Sequence, residues 1–165
     1  MRKGMVCAVL TVLLLTGCGA QETFETVNDQ HISAAASPQF LNVELPEEAA
    51  APTLGQEDAG NLYLCDGYTI AVQTMPGGNL DATLSQLTGF SSERLTLMHT
   101  KQPEAERYEC VWTAAGEGGD QVGRLVILDD GNYHYAVTVM APAQTAGALT
   151  ETWQELMNSV RISTD

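Results

Sequence analysis

Val122-Gly123-Arg124-Leu125-Val126-Ile127-Leu128, then Asp129-Asp130-Gly131-Asn132, then Tyr133-His134-Tyr135-Ala136-Val137-Thr138-Val139-Met140 is the stretch whose reading decides the fold. Two runs rich in β-branched and aromatic residues flank a short polar segment built around Asp-Gly. That pattern predicts two antiparallel strands joined by a tight turn. Tyr133, Tyr135, Val137 and Val139 fall at every second position, so they share one face.

Working outward, the same signals recur. Leu62–Cys65 and Tyr68–Val72 flank Asp66-Gly67, a second hairpin signature. Arg107–Thr113 alternates Tyr108, Cys110 and Trp112 against Arg107 and Glu109. Leu95–Thr100 reads as a further strand, turned into the next one at Gln102-Pro103-Glu104. Phe40–Leu45 alternates Leu41, Val43 and Leu45 against Asn42 and Glu44, and Pro46 ends it. The stretch 47–60 reads as a loop with a short helical turn at Glu47–Ala50. Two segments carry a helical period instead. Between Asn79 and Thr88, Leu80, Leu84 and Leu87 form a stripe, with Asn79 as cap and Gly89 just past the end. From about Thr145 onward, Leu149, Trp153, Leu156, Met157 and Val160 form a second stripe. The sum predicts an α+β fold. It has an antiparallel sheet of six to seven hairpin-built strands, with one middle helix and one C-terminal helix packed on it.

The N-terminal end has a different character. Arg2 and Lys3 precede an apolar run from Met5 to Leu15, which is shorter than the roughly 20 residues that span a bilayer and matches a secretory signal peptide. Leu15-Thr16-Gly17-Cys18 resembles the lipobox of bacterial lipoproteins. The resemblance implies cleavage before Cys18, lipid attachment to Cys18, and a lipid-anchored protein on the extracytoplasmic face of the cell membrane. The expected layout is a leader over residues 1–17, a polar, alanine-rich tether over 18–38, and a single domain over 39–165. The order of elements across 39–163 resembles PsbP-like domains. The resemblance rests on the opening Phe40-Leu41-Asn42-Val43-Glu44-Leu45-Pro46, the Tyr-rich strand near the end, and the apolar-striped helix running into Asn158-Ser159-Val160-Arg161-Ile162. That fold serves unrelated roles, so the resemblance implies no activity.

Charge narrows the functions. The chain has a formal charge of −14, and after Cys18 five basic residues face 21 acidic ones, a formal −16. Nucleic-acid binding rests on Lys and Arg neutralising phosphates, so nucleic acid is not an expected partner. Membrane association would come from the lipid on Cys18. With Cys7 in the leader and Cys18 lipidated, Cys65 and Cys110 remain. In an exported chain such a pair is expected to form a disulfide; the alternative is two buried free thiols.

Candidate chemistry is sparse. Asp129, Asp130 and His134, with His99 from another strand, could supply oxygen and imidazole ligands to a metal, yet Asp-Asp-Gly also suits a hairpin tip. Ser85, Ser91, Ser92 and Ser159 lack any nucleophile motif. Gly116-Glu117-Gly118-Gly119-Asp120 has no Lys and two acids, so it reads as a turn rather than a phosphate loop. No cofactor is expected. The best interaction patch is Tyr133, His134 and Tyr135 beside the acidic hairpin tip, set against the same residues packing in the core. The resulting expectation is a binding or interaction module whose partner is another envelope protein, wall material or a small extracytoplasmic ligand. An extracytoplasmic enzyme or accessory factor with a shallow site, and a metal-binding lipoprotein, are the alternatives.

Overall fold

The computed structural model describes residues 37–49, 51–56, 60–116 and 118–163. Leu15–Cys18 and most of the tether lie outside them. Among the described residues the alternating segments form nine strands: β1 (Phe40–Asn42), β2 (Leu54–Gln56), β3 (Gly60–Cys65), β4 (Tyr68–Pro76), β5 (Met98–Lys101), β6 (Glu106–Gly116), β7 (Gly119–Asp129), β8 (Tyr133–Pro142) and β9 (Arg161–Ser163). The helices are α1 (Leu80–Thr88), α2 (Ala143–Ala146) and α3 (Thr150–Ser159).

Seven strands make one antiparallel sheet in the order β2-β3-β4-β8-β7-β6-β5, and β1 pairs with β9 in a separate two-stranded sheet. The α+β expectation therefore holds. The opening hairpin stretch is the sheet's centre: β8 lies between β4 and β7, which it pairs over eight and nine positions. Asp66-Gly67 turns β3 into β4, with Gly67 at φ +79°. Asn79 Oδ1 accepts the backbone N–H groups of Asp81 and Ala82, and Gly89 ends α1 in the left-handed region at φ +79°, as the cap residues predict.

Because neighbouring strand residues point to opposite faces, the sheet carries two cores. On one face Tyr68, Ile70, Val126, Leu128, Tyr135 and Val137 pack with Trp153, Leu156 and Met157 of α3. On the other, Cys110, Trp112, Leu125, Ile127 and Ala136 pack with Leu84 of α1. The two helices thus take opposite faces of the sheet.

Three expectations need correction. The strand predicted from Leu95 begins only at Met98, because Ser92–Arg94 forms a short 3-10 turn first. The predicted loop at 47–60 contains β2, a three-residue edge strand with no alternation long enough to read. The Cys65–Cys110 disulfide is not formed: both are free thiols. They sit on β3 and β6, four inter-strand steps or about 19 Å apart. A disulfide needs Cα atoms roughly 4.4–6.8 Å apart. Burial raises both thiols, Cys110 to about 11, which leaves little thiolate at neutral pH. Quantitative thiol titration of the unfolded, non-reduced chain should therefore find Cys65 and Cys110 both reactive. In the folded chain Cys110 should label far more slowly than the half-buried Cys65.

Candidate functional site

The residues singled out from sequence converge on one end of the sheet, at the β7–β8 hairpin. Asp130 organises this tip. Its Oδ1 accepts the N–H groups of Asn132 (2.8 Å) and Tyr133 (2.7 Å), and its Oδ2 accepts the Tyr135 hydroxyl at 2.8 Å. The same hydroxyl accepts the backbone N–H of Gln39 at 2.8 Å, and Gln39 Nε2 donates to Asp130 at 3.4 Å. The chain thus enters the domain tied to the hairpin tip. Burial pushes Asp130 up, but the donors from Tyr133, Asn132 and Tyr135 together hold its carboxyl below the ordinary range. Burial and the Asp130 carboxylate push Tyr135 up to about 12.

A lowered folded-state pKa contributes stability that is present above the unfolded value and lost as pH falls through the folded one. Tyr135→Phe removes one donor to Asp130 and the acceptor for Gln39. It should cost about 1–2 kcal/mol at neutral pH. It should also flatten the acid side of the stability profile, because Asp130 then has less to lose on protonation. Urea melts between pH 3 and 7 would check both; an unchanged acid slope would show that the tyrosine does not depress Asp130.

This geometry corrects the proposed Tyr133–His134–Tyr135 patch. Tyr135 and His134 are 0% exposed, and Tyr133 is half-buried. Tyr135 belongs to the α3-side core, and Tyr133 packs against it with ring centroids 6.2 Å apart. His134 points to the other face, where its Nδ1 lies 2.8 Å from Thr83 Oγ1 of α1. An alternating strand cannot present all three side chains together.

A polar row crosses the α1-side face here. Lys101, Glu106, Asp129 and His134 are direct cross-strand neighbours on β5, β6, β7 and β8. Lys101 Nζ lies 3.5 Å from Glu106, and His134 Nε2 lies 3.5 Å from Asp129 Oδ2 without a hydrogen-bond partner. Two residue pairs along, on the same face, His99 stacks on Tyr108 at 4.7 Å and bonds Glu106. That bond holds Glu106 below the ordinary carboxylate range. The four residues considered as metal ligands are therefore divided. Asp130 serves the turn, Asp129 accepts the Gly131 N–H, His99 serves Glu106, and His134 is engaged with Thr83. Among the described residues no three His, Cys, Asp or Glu side chains converge as a metal site requires.

Thr83, His134 and Asp129 set a hydroxyl, an imidazole and a carboxylate in a line. Thr83 and His134 are both buried between helix and sheet, so no substrate atom can reach the hydroxyl. Their role is to staple α1 to β8. Lys101, Glu104, Glu106, Asp129 and Asp130 border an open groove of about 300 Å³ in which neither His99 nor His134 takes part. Ser159, another sequence candidate, is structural: its Oγ accepts the Glu44 N–H at 2.9 Å and donates to Leu156 O.

Sequence reasoning missed a second surface. β6 has eleven residues, but β5 pairs only with Glu106–Glu109. Beyond that point a groove of about 220 Å³ opens between Thr96, Met98, Val111 and Arg124. A further depression continues it past Thr96 and Val111 to Phe90, Arg94 and Thr113. Met98 and Val111 are 57% and 56% exposed, among the most exposed large apolar side chains described. In sequence both are ordinary members of alternating strands, and only the tertiary structure leaves the face they share uncovered.

Comparison with solved structures gives fold-level likeness. LpqN of Mycobacterium tuberculosis, described as involved in cell envelope biogenesis, is 10% identical with a TM-score of 0.50, covering 78% of this chain and 87% of LpqN. CyanoP, the PsbP of Synechocystis, is 6% identical with a TM-score of 0.49, covering 78% and 95%. The Ran-binding protein Mog1p of Saccharomyces cerevisiae is 12% identical with a TM-score of 0.38, covering 76% and 80%. The likeness to LpqN shows a shared fold. No protein-family model matches the chain, and no curated protein matches it in sequence.

Proposed function

We propose that the protein is a non-enzymatic binding module held on the extracytoplasmic face of the cell envelope by lipid on Cys18. Residues 18–38 serve as the tether in this reading. The observation that carries the binding part is the contrast between the two surfaces. The titratable side chains at the β7–β8 end are engaged in the turn, the chain entry and the helix staple. The β5–β6 flank instead leaves Met98 and Val111 open beside unpaired strand. The two side chains line one groove, and it is adjoining rather than scattered apolar exposure that marks contact surfaces. Leu15-Thr16-Gly17-Cys18 supports the anchor, since acyl chains supply about 0.8 kcal/mol per buried methylene. Among the described residues no helix is long and apolar enough to cross a membrane. The part LpqN plays in envelope biogenesis fits this setting.

Cys18→Ser should move the protein from the membrane fraction to the soluble extracytoplasmic fraction and remove the acyl mass from its N-terminal peptide. Retention in the membrane with no acyl mass in wild type would end the anchoring proposal. Photo-crosslinkers placed at Met98 and Val111 in intact cells should capture one defined envelope partner. Labelling of water-exposed neighbours only, at these and at control surface positions, would count against a binding role.

A further inference from the structure

Resting on that reading, we infer that the open edge of β6 from Val111 to Gly116 receives an extended, acidic segment of a partner protein by strand addition. β6 is hydrogen-bonded to β7 along its whole length, from Glu106↔Asp129 to Gly116↔Gly119. On its other side β5 covers only the first four residues, and among the described residues no other backbone bond reaches 111–116 from that side. Every second residue of this stretch therefore presents its N–H and C=O outward. Six residues span about 20 Å, the length of an ordinary added strand. An open edge with an adjoining side-chain groove takes main-chain bonds for affinity and alternate side chains for specificity.

The groove beside this edge supplies the second requirement. Met98 and Val111 form an apolar floor, with Thr96 beside them, for the alternate side chains of an incoming strand. Charge selects the kind of strand. Only five basic residues follow Cys18 in a chain with 21 acidic ones. Two of them lie here: Arg124 lines this groove and Arg94 the depression that continues it. Lys101 and Arg107 lie on β5 and β6, so Arg161 alone is placed elsewhere. The acid lining the groove, Glu109, is already bonded to Arg107 at 2.8 Å, while Arg124 lies 3.7 Å from it. Arg94 stacks over Phe90 at 4.8 Å and is exposed. Met98 and Val111 thus lie beside two arginines on a molecule that is elsewhere acidic, and with Glu109 shared between Arg107 and Arg124 the positive charge left over is complementary to a strand that alternates acidic and apolar residues.

The test uses two blocked hexapeptides, alternating glutamate with valine and lysine with valine, titrated into the isotope-labelled full chain. The glutamate peptide should give saturable amide shifts and slowed hydrogen exchange confined to Val111–Gly116 and the Thr96–Met98 approach. The lysine peptide should not. Arg94→Glu with Arg124→Glu should weaken the glutamate peptide at least about tenfold and admit the lysine peptide. Val111→Glu, at an exposed position, should abolish binding with an unchanged melting temperature. Shifts centred elsewhere, no shifts, or equal response to both peptides would overturn the inference. So would protection of 111–116 that rises with protein concentration alone, which would assign the edge to a second copy. A crosslinked envelope partner mapped to another surface would overturn it too, while leaving the binding-module reading standing.

Discussion

Replacing Arg107 by alanine is expected to remove about 3–5 kcal/mol of stability, the range for leaving one half of a buried charge network unpaired. The guanidinium is nearly fully buried, and each of its three nitrogens donates to a partner. Nη2 donates to Met157 O at 2.7 Å, Nη1 to Val160 O at 3.2 Å, and Nε to Glu109 at 2.8 Å. The two carbonyls are at the C-terminal end of α3, where a cation also meets the negative end of the helix dipole. One side chain thus fastens the closing helix to β6 and shares the Glu109 carboxylate with Arg124. Arg107→Lys should recover only part of the loss, because an ammonium cannot serve three partners in one plane. Chemical denaturation of the three proteins would decide it. A loss for Arg107→Ala below about 1 kcal/mol, the worth of an exposed ion pair, would mean that α3 is held by its apolar stripe alone.

Gly123→Ala is expected to cost about 3 kcal/mol, toward the upper end for overpacking a filled core. Gly123 lies directly opposite Trp112 across β6 and β7, and the indole lies over its backbone. A Cβ placed there would sit 2.3 Å from Trp112 Cζ2 and 2.4 Å from Cε2. Trp112 is itself buried among Leu125, Ile127 and Leu84, so the ring has nowhere to swing. Trp112→Val should be destabilising on its own but should cost less in the Gly123→Ala background, because the two substitutions relieve one clash. A double-mutant cycle on unfolding free energies measures that coupling. Strict additivity of the two substitutions would show that the ring moves aside freely.

The hairpins and the middle helix with its caps were legible because each is decided by a few neighbouring residues; the C-terminal helix, expected from about Thr145, begins at Thr150 after a short helix and a 3-10 turn. Asp66-Gly67 and Asp129–Asn132 between alternating runs dictate their turns locally. The Asn79 cap and the Leu80, Leu84, Leu87 stripe likewise define α1 without reference to the rest of the chain. The site was much less legible. Tyr133, His134 and Tyr135 were correctly placed on a strand, but their exposure depended on what covered each face. Both faces of β8 are covered, one by α3 and one by α1. Cys65 and Cys110 seemed a natural pair by count and compartment. Strand order, a non-local property, put four strand steps between them.

By itself, then, the sequence determined the long central hairpins, the middle helix, the α+β class, the acidic charge and the lipobox-like Leu15-Thr16-Gly17-Cys18. These follow from periodicity and local chemistry. The tertiary structure alone decided that Arg107 is interior, that Gly123 must lack a side chain, and that β6 outruns β5. Each depends on which distant segment lies alongside: the end of α3 over Arg107, Trp112 over Gly123, and the four-residue β5 ending short beside Val111. An alternating strand records which residues share a face, but not what that face meets.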